Sequence, residues 1–367
     1  MSIFFANPKA GFQDKKNLIL KKISNFIDSG EYVLGSQVKE FEKKFNKFLN
    51  NGGHFVSCAN GTDAITLALL ANDISSGYVI APSHTAPASI LGIINAGCKP
   101  LFIDIDSETA LISIDKIEKK LKSNAKIKAI LAVHLYGSGI NIPSLMKVAR
   151  PHNCLVIEDC AQSAGTKIFG QYAGTLANAG TFSFFPTKNL AALGDGGGVW
   201  VPNKKLQIKI ESLRQYGWNK NRVVKVANGM NSRLDELQAV VLQIRLKDLK
   251  RDIQKRRNIA KIYNLNLNSY FKRLEYPDFQ FCSFHLYVVK VKHRKKLINY
   301  MQKHNIFLGI HYTPPNHLNG LLSKFSAKLP ITDMLSQEVV SLPIHPELNI
   351  RTQIKIIKIL NNFEDTL

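Results

Sequence analysis

Cysteine is scarce and scattered in this 367-residue chain. The five residues, Cys58, Cys98, Cys154, Cys160 and Cys282, include no C-x-x-C pair. That argues against a zinc ribbon and a disulfide framework and points to a reducing compartment, the cytoplasm. One charge-free stretch, residues 79–98, is long enough to tempt a bilayer-spanning reading. It holds Pro82, Ser83, His84, Pro87, Ser89 and Asn95, too polar a set for hydrocarbon. No basic segment leads into an apolar run over residues 1–13, so no signal peptide is read and a soluble protein is expected. The chain lacks G-x-S-x-G, H-E-x-x-H and G-x-G-x-x-G. Its nearest approach to a P-loop, Gly165 to Gly170, is followed by Gln171 and Tyr172, where lysine and a hydroxyl would be needed. Redox-dinucleotide and NTPase chemistry are therefore demoted.

Acidic residues are also few: 27 against 49 Lys and Arg, a net charge of +22. Between Arg245 and Lys296 there are 15 basic and 4 acidic residues, half of the whole excess. Much of this surplus lies on one helical pattern, where Lys255, Arg256 and Arg257 point around the cylinder. No aromatic-rich basic platform, helix-turn-helix or RNP signature accompanies it. A solvated basic surface is favoured over nucleic-acid binding, and a positive field would also attract an anionic small molecule such as a nucleotide sugar.

Hydrophobic residues make up 45% of the chain, an ordinary globular share. Residues 14–50 show amphipathic helical spacing. From 55 to 201 short apolar runs (78–81, 100–103, 129–133, 155–157, 180–185, 198–201) alternate with helical stretches at 63–71, 114–121 and 142–150. That alternation predicts an α/β layer with a mostly parallel central sheet. Residues 232–265 carry Leu234, Leu237, Val241, Ile244 and Leu249 on one face and read as one long helical spine. A strand at 285–291, a helix at 294–303 and a helix from 352 suit a smaller α+β domain. The expected division is 1–245, a large domain with an N-terminal helical segment, and 246–367, a small C-terminal domain.

Three segments carry candidate chemistry. In Leu155-Val-Ile-Glu-Asp-Cys-Ala-Gln162 an apolar strand ends in carboxylates, at the edge where open α/β sheets bind ligands. In Thr181-Phe-Ser-Phe-Phe-Pro-Thr-Lys188 a strand stops at Pro186 and delivers a single lysine, followed by the glycine-rich Gly194 to Gly198. In Cys58-Ala-Asn-Gly-Thr-Asp63 small residues and hydroxyls precede a helix, as an anion site at a helix N-terminus requires. Singly, such residues are more often caps, ion pairs or solvated side chains. Together they supply what pyridoxal phosphate asks for: an amine, a carboxylate for the pyridine nitrogen and a phosphate cup.

At this point the chain resembles the sugar aminotransferases of the DegT/DnrJ/EryC1/StrS family. The residues that carry the resemblance are Ala59-Asn-Gly-Thr-Asp-Ala64, Pro82-Ser-His-Thr85, His134-Leu-Tyr-Gly137, Ile157-Glu-Asp-Cys-Ala-Gln162, Phe182-Ser-Phe-Phe-Pro-Thr-Lys-Asn189, Gly194-Asp-Gly-Gly197, Asn231-Ser-Arg-Leu-Asp-Glu-Leu-Gln-Ala239 and Gly309-Ile-His-Tyr312. The resemblance implies the three-layer fold type I of pyridoxal-phosphate transferases, a large domain with a mostly parallel sheet plus a smaller α+β domain. It implies pyridoxal 5′-phosphate as cofactor, passing through its pyridoxamine form. Lys188 would hold the cofactor covalently, Asp159 would pair with its ring nitrogen and Gln162 with its phenolic oxygen. Gly61, Thr62 and Ser183 would bind its phosphate. Asn231 would reach the phosphate of a partner subunit, making a homodimer part of the site. L-glutamate is the implied amino donor and a nucleotide-linked keto-sugar the acceptor.

Lys188 favours amino transfer over a dehydratase of the same family, in which histidine replaces this lysine. The Pro82-Ser-His-Thr variant leans towards a 3-aminotransferase acting on a dTDP-linked 3-keto-6-deoxyhexose. Amination at carbon 4 of a UDP-sugar is the alternative, and a regulatory, non-catalytic member the rival from another class. His84, Tyr216, His311, Tyr312 and His317 are the candidate substrate-facing residues; Trp218 is a weaker one. His311 and His317 lack a third partner at metal-ligand spacing, so no metal is assigned. Ala86 departs from the many relatives that stack a large aromatic on the ring, and His84 or a different packing of that face are the alternatives.

Overall fold

The computed structural model describes residues 2–123 and 126–364; residue 1 and residues 365–367, at the ends of the two expected domains, lie outside the described residues. The short apolar runs form a seven-stranded sheet. Its strands are β1 (His54–Cys58), β2 (Tyr78–Pro82), β3 (Lys99–Ile103), β4 (Ile127–Val133), β5 (Leu155–Asp159), β6 (Ala179–Ser183) and β7 (Gly197–Val201). Their spatial order is β1-β7-β6-β5-β4-β2-β3. All neighbours are parallel except β7, which runs antiparallel to both β1 and β6. The central strands are buried on both faces, which is why they read as continuous apolar runs and not as alternating ones.

Three helices frame the ends of these strands: α1 (Ser36–Leu49), α2 (Gly61–Ala71) and α3 (Pro87–Asn95). Helix α2 is buried without interruption from Ala64 to Ala71, because it is packed between β6 and β7 on one side and α3 on another. Helix α1 turns Val38, Phe41, Phe45 and Leu49 inward. Phe45 meets Phe55 and Phe182 edge-on at centroid distances of 4.7 and 5.2 Å, a favourable aromatic geometry. The amphipathic pattern of residues 14–50 is divided between α1 and a helix at Lys16–Ser29, which ends on Gly30 in the left-handed conformation.

The long spine expected over 232–265 is corrected to two helices, α4 (Glu236–Leu246) and α5 (Leu249–Asn266). Residues 231–235 stay extended, because Asn231 and Asp235 form backbone bridges to Gln215 and Val33. The second break falls at Lys247–Asp248. There the Asp248 carboxylate is drawn to Lys15 at 3.1 Å and Arg251 at 3.0 Å. Both residues keep right-handed helical backbone angles, so the apolar periodicity runs through the break.

Beyond α5, Lys272–Arg273, Tyr287–Lys290 and Val339–Leu342 form a small antiparallel sheet. Helices Arg294–Lys303 and Ile350–Asn361 accompany it. The buried members of a second apolar cluster are all drawn from residues 259–363. Arg256 ties α5 to this part by donating from one nitrogen to the carbonyls of Phe284, His285 and Ile344. Among the described residues no helix is long and apolar enough to cross a membrane.

Candidate active site

The carboxyl ends of β1, β5 and β6 open on one cavity of about 270 Å³. Gly61, Thr62, Ala86, Ser89, Asp159, Ala161, Ser183, Phe185 and Lys188 line it. Its first wall is the N-terminus of α2, where the Asn60 side chain accepts from the Asp63 N–H at 2.8 Å and caps the helix. Close approach is built in by glycine. A methyl group on Gly61 would lie 2.8 Å from Ser183 Cβ, and one on Gly197 would lie 2.3 Å from the Asn60 carbonyl oxygen. The cradle therefore exists because these residues lack a Cβ, with the free N–H groups of a helix start and two hydroxyls around it.

Asp159 closes the opposite wall at the end of β5. It is nearly fully buried. Its Oδ1 accepts from the Ala161 N–H at 3.0 Å and its Oδ2 from the Ser89 hydroxyl at 2.7 Å. Lys188 stands beyond the end of β6, on a turn closed by its own N–H donating to the Phe185 carbonyl at 2.8 Å. Burial lowers the Lys188 ammonium from its usual range to about 8, against the opposing pull of Asp159. The arrangement can hold an anionic group at the α2 end and a protonated ring nitrogen at the Asp159 end. Between them stands an amine able to lose its proton near neutral pH and bond to a carbonyl carbon.

Of the residues singled out from the sequence, Gly61, Thr62, Asp159, Ser183 and Lys188 line this cavity together. Gln162 lies behind it, with Oε1 accepting from the Tyr136 N–H at 2.7 Å and Nε2 donating to Tyr312 Oη at 2.6 Å. Burial and the Asp159 charge push the Tyr312 hydroxyl pKa upward. His311 reaches Ser341 Oγ through Nδ1 at 2.9 Å. Burial and the charge of Lys188 hold its imidazole down at about 4. His84 is not among the residues that line the cavity. It is fully buried and meets Tyr136 Oη at 2.8 Å, while Ala86 itself forms part of the cavity wall.

His317 is turned into the fold, with Nδ1 2.8 Å from Ser83 Oγ and Nε2 3.0 Å from Asp333. Tyr216 pairs with Trp218 at 4.6 Å on the surface. Asn231 is exposed, its backbone bridged to Gln215.

One set of metal-like donors exists among the described residues: His134, Glu158 and Cys160, all buried. The imidazole and carboxylate are already engaged. His134 contacts Glu158 at 3.0 Å and accepts from the Ile140 N–H. Glu158 also accepts the N–H groups of Gly174, Leu176 and Ala177 at 2.8–3.0 Å. The group anchors a loop.

Sequence reasoning missed Ser89, Ala161 and Phe185. Only Pro87 at the start of α3 signals that Ser89 occupies a first helical turn, and a serine there reads as an ordinary helix-start residue.

The sequence profile of the DegT/DnrJ/EryC1/StrS aminotransferase family matches residues 13–361. The chain is 39% identical over 348 residues to dTDP-3-amino-3,6-dideoxy-alpha-D-galactopyranose transaminase of Aneurinibacillus thermoaerophilus, covering 94% of this chain and 95% of that protein. It is 35% identical over 343 residues to UDP-N-acetyl-3-dehydro-alpha-D-glucosamine 3-aminotransferase of Acidithiobacillus ferrooxidans, covering 93% and 92%. The crystal structure of S. venezuelae DesV in complex with a ketimine intermediate superposes with a TM-score of 0.96 at 29% identity, covering 100% of this chain and 99% of that one.

Proposed function

This chain belongs to the DegT/DnrJ/EryC1/StrS aminotransferase family, and from that premise we propose that it aminates carbon 3 of a nucleotide-linked 3-keto-6-deoxyhexose, with dTDP as the nucleotide and L-glutamate as the donor. The observation that carries the reading is the convergence of Lys188, Asp159, Ser183 and the Gly61–Thr62 helix start on one cavity. Two relatives support carbon 3, since both of their names place the reaction there. Pyridoxal 5′-phosphate, when bound, supplies an electron sink that makes an α-proton removable.

The residues fit that group, because the glycine cradle admits a phosphate and the buried carboxylate faces the same space. Gly61, Thr62 and Ser183 would hold the phosphate. Asp159 would keep a proton on the ring nitrogen. Gln162 would offer its amide to the phenolic oxygen in place of Tyr312, its present partner. The Lys188 amine would take the proton from the donor's α-carbon and, in the second half-reaction, deliver one to carbon 3 of the sugar. An ammonium lowered to about 8 is part-neutral at physiological pH, which suits both directions of that transfer.

Asn231 would serve the phosphate site of a second copy. The surface around it supports this: the exposed apolar Tyr32, Val33, Val223 and Val224 lie on or beside the backbone bridges of that segment and of the loop at 216–224. Sedimentation at twice the chain mass, abolished together with activity by charged replacements of Val33 and Val224, is the expected behaviour.

The deciding experiment supplies dTDP-, UDP- and GDP-linked keto-sugars with glutamate and detects amino products by mass. Turnover of the dTDP-linked 3-ketone is expected to dominate. Amination confined to UDP-linked 4-ketones would replace the reading, and a protein that takes up no cofactor would end it.

A further inference from the structure

We propose that Ser89 is a positioning residue for the cofactor: its hydroxyl locks the plane of the Asp159 carboxylate so that one oxygen stays aimed at the ring nitrogen. The proposal rests on the functional reading above.

The terminal torsion of an aspartate is broad and two-fold, so a single hydrogen bond leaves its carboxylate free to swing. Here both oxygens are held, Oδ1 by the Ala161 N–H at 3.0 Å and Oδ2 by Ser89 Oγ at 2.7 Å. Each oxygen keeps a further lone pair, so two donors orient the group without exhausting it. Ser89 is 4% exposed and lines the same cavity as Asp159 and Lys188.

Its own direction is fixed in turn. With the Ser89 proton given to Asp159, Thr85 Oγ1 at 3.2 Å is left to donate to Ser89 Oγ. Thr85 sits on a segment that Asn316 grips by donating to the carbonyls of Ser83 and Thr85 at 3.0 and 2.8 Å. The His317 N–H adds a bond to Ser83 Oγ at 2.9 Å. Ser89 also lies in the first turn of α3, where its own N–H donates to the Ala86 carbonyl at 3.0 Å. The buried carboxylate is thus oriented from two sides, by the Ser89 hydroxyl on α3 and by the Ala161 N–H.

The test compares wild type, Ser89→Ala, Ser89→Thr and Ser89→Cys as cofactor-free proteins. Each is titrated with pyridoxamine phosphate and with its analogue carrying carbon in place of the ring nitrogen, and binding is read by fluorescence. Ser89→Ala is expected to weaken pyridoxamine phosphate by about tenfold, or ~1.4 kcal/mol. The carbon analogue, which cannot pair with Asp159, should bind equally to wild type and variant. Ser89→Thr should restore most of the loss. Ser89→Cys, a weaker donor that keeps the volume, should fall between and serves in place of Ala if that variant does not fold.

Equal weakening of both ligands would reduce Ser89 to packing and overturn the proposal, and so would no weakening of either. A wild-type protein that binds neither ligand would overturn the functional reading itself, and the proposal with it.

Discussion

A lysine amine taken out of water loses part of its preference for the proton, and Lys188 carries that cost in the folded chain. Unfolded, it titrates near 10.5; folded, near 8. Between those values the unfolded chain binds more protons, so stability rises with pH across that window, and below about 8 the buried charge is a standing penalty. Lys188→Met is therefore expected to raise the melting temperature of the cofactor-free protein by a few degrees at pH 7. That advantage should shrink as pH climbs from 8 to 10; calorimetry showing an advantage independent of pH would contradict the assignment. Lys188→Ala should lower amino-sugar formation by roughly 10³-fold or more, measured by product mass. Undiminished turnover would remove the lysine from its role. At this scale the sequence was informative where a residue stands alone. A single lysine after a strand and an aspartate at a strand end can be found by position. Ser89 cannot, because its meaning comes from a carboxylate 70 residues away. Nor can Tyr312 as a partner of Gln162 or Ser83 as a partner of His317, which lie 150 and 234 residues distant.

At the scale of elements, apolar runs and helical spacing located strands and helices because burial selects for them directly. The spine at 232–265 reads as continuous because Leu234, Leu237, Val241, Ile244 and Leu249 keep helical spacing, and both residues at the break do remain helical in their backbone angles. At the division between α4 and α5, Asp248 pairs with Lys15 from a distant segment and with Arg251 one turn on in α5. Elements are also joined by side chains with no periodic signature. Glu236, in the first turn of α4, accepts the Gln37 and Val38 N–H groups at the start of α1 at 2.8 and 3.2 Å. Ser232 donates to Asp63 at 2.6 Å and accepts from Ala59 at 3.1 Å, clamping the base of α2. Removing the Glu236 carboxylate with Ala should cost about 1–2 kcal/mol, the usual worth of a lost helix cap. Glu158→Ala is expected to be worse, about 3 kcal/mol or more, since three N–H groups, two of them buried, lose their acceptor. Urea titration compares the two, and a smaller loss for Glu158→Ala would undo that ranking.

For the whole molecule, a net charge of +22 describes a field. A sugar nucleotide bearing a diphosphate is drawn by that field, and dissolved salt screens it. KM for the sugar nucleotide should therefore rise severalfold between about 50 and 500 mM salt, with kcat little changed, in steady-state assays. A KM indifferent to salt would show that the positive surface plays no part in capture. Composition, run lengths and the order of short motifs were enough to determine an α/β chain with an amine, a carboxylate and a helix-start cup, because each is a local pattern imposed by burial or by backbone geometry. Only the folded chain decided that Gly61, Asp159, Ser183 and Lys188 share one cavity, that His84 and His317 are buried against Tyr136 and Ser83, and that the Ser89 hydroxyl meets Asp159. Those outcomes depend on which strand ends lie side by side, and adjacency in space leaves no mark on the spacing of residues along a chain.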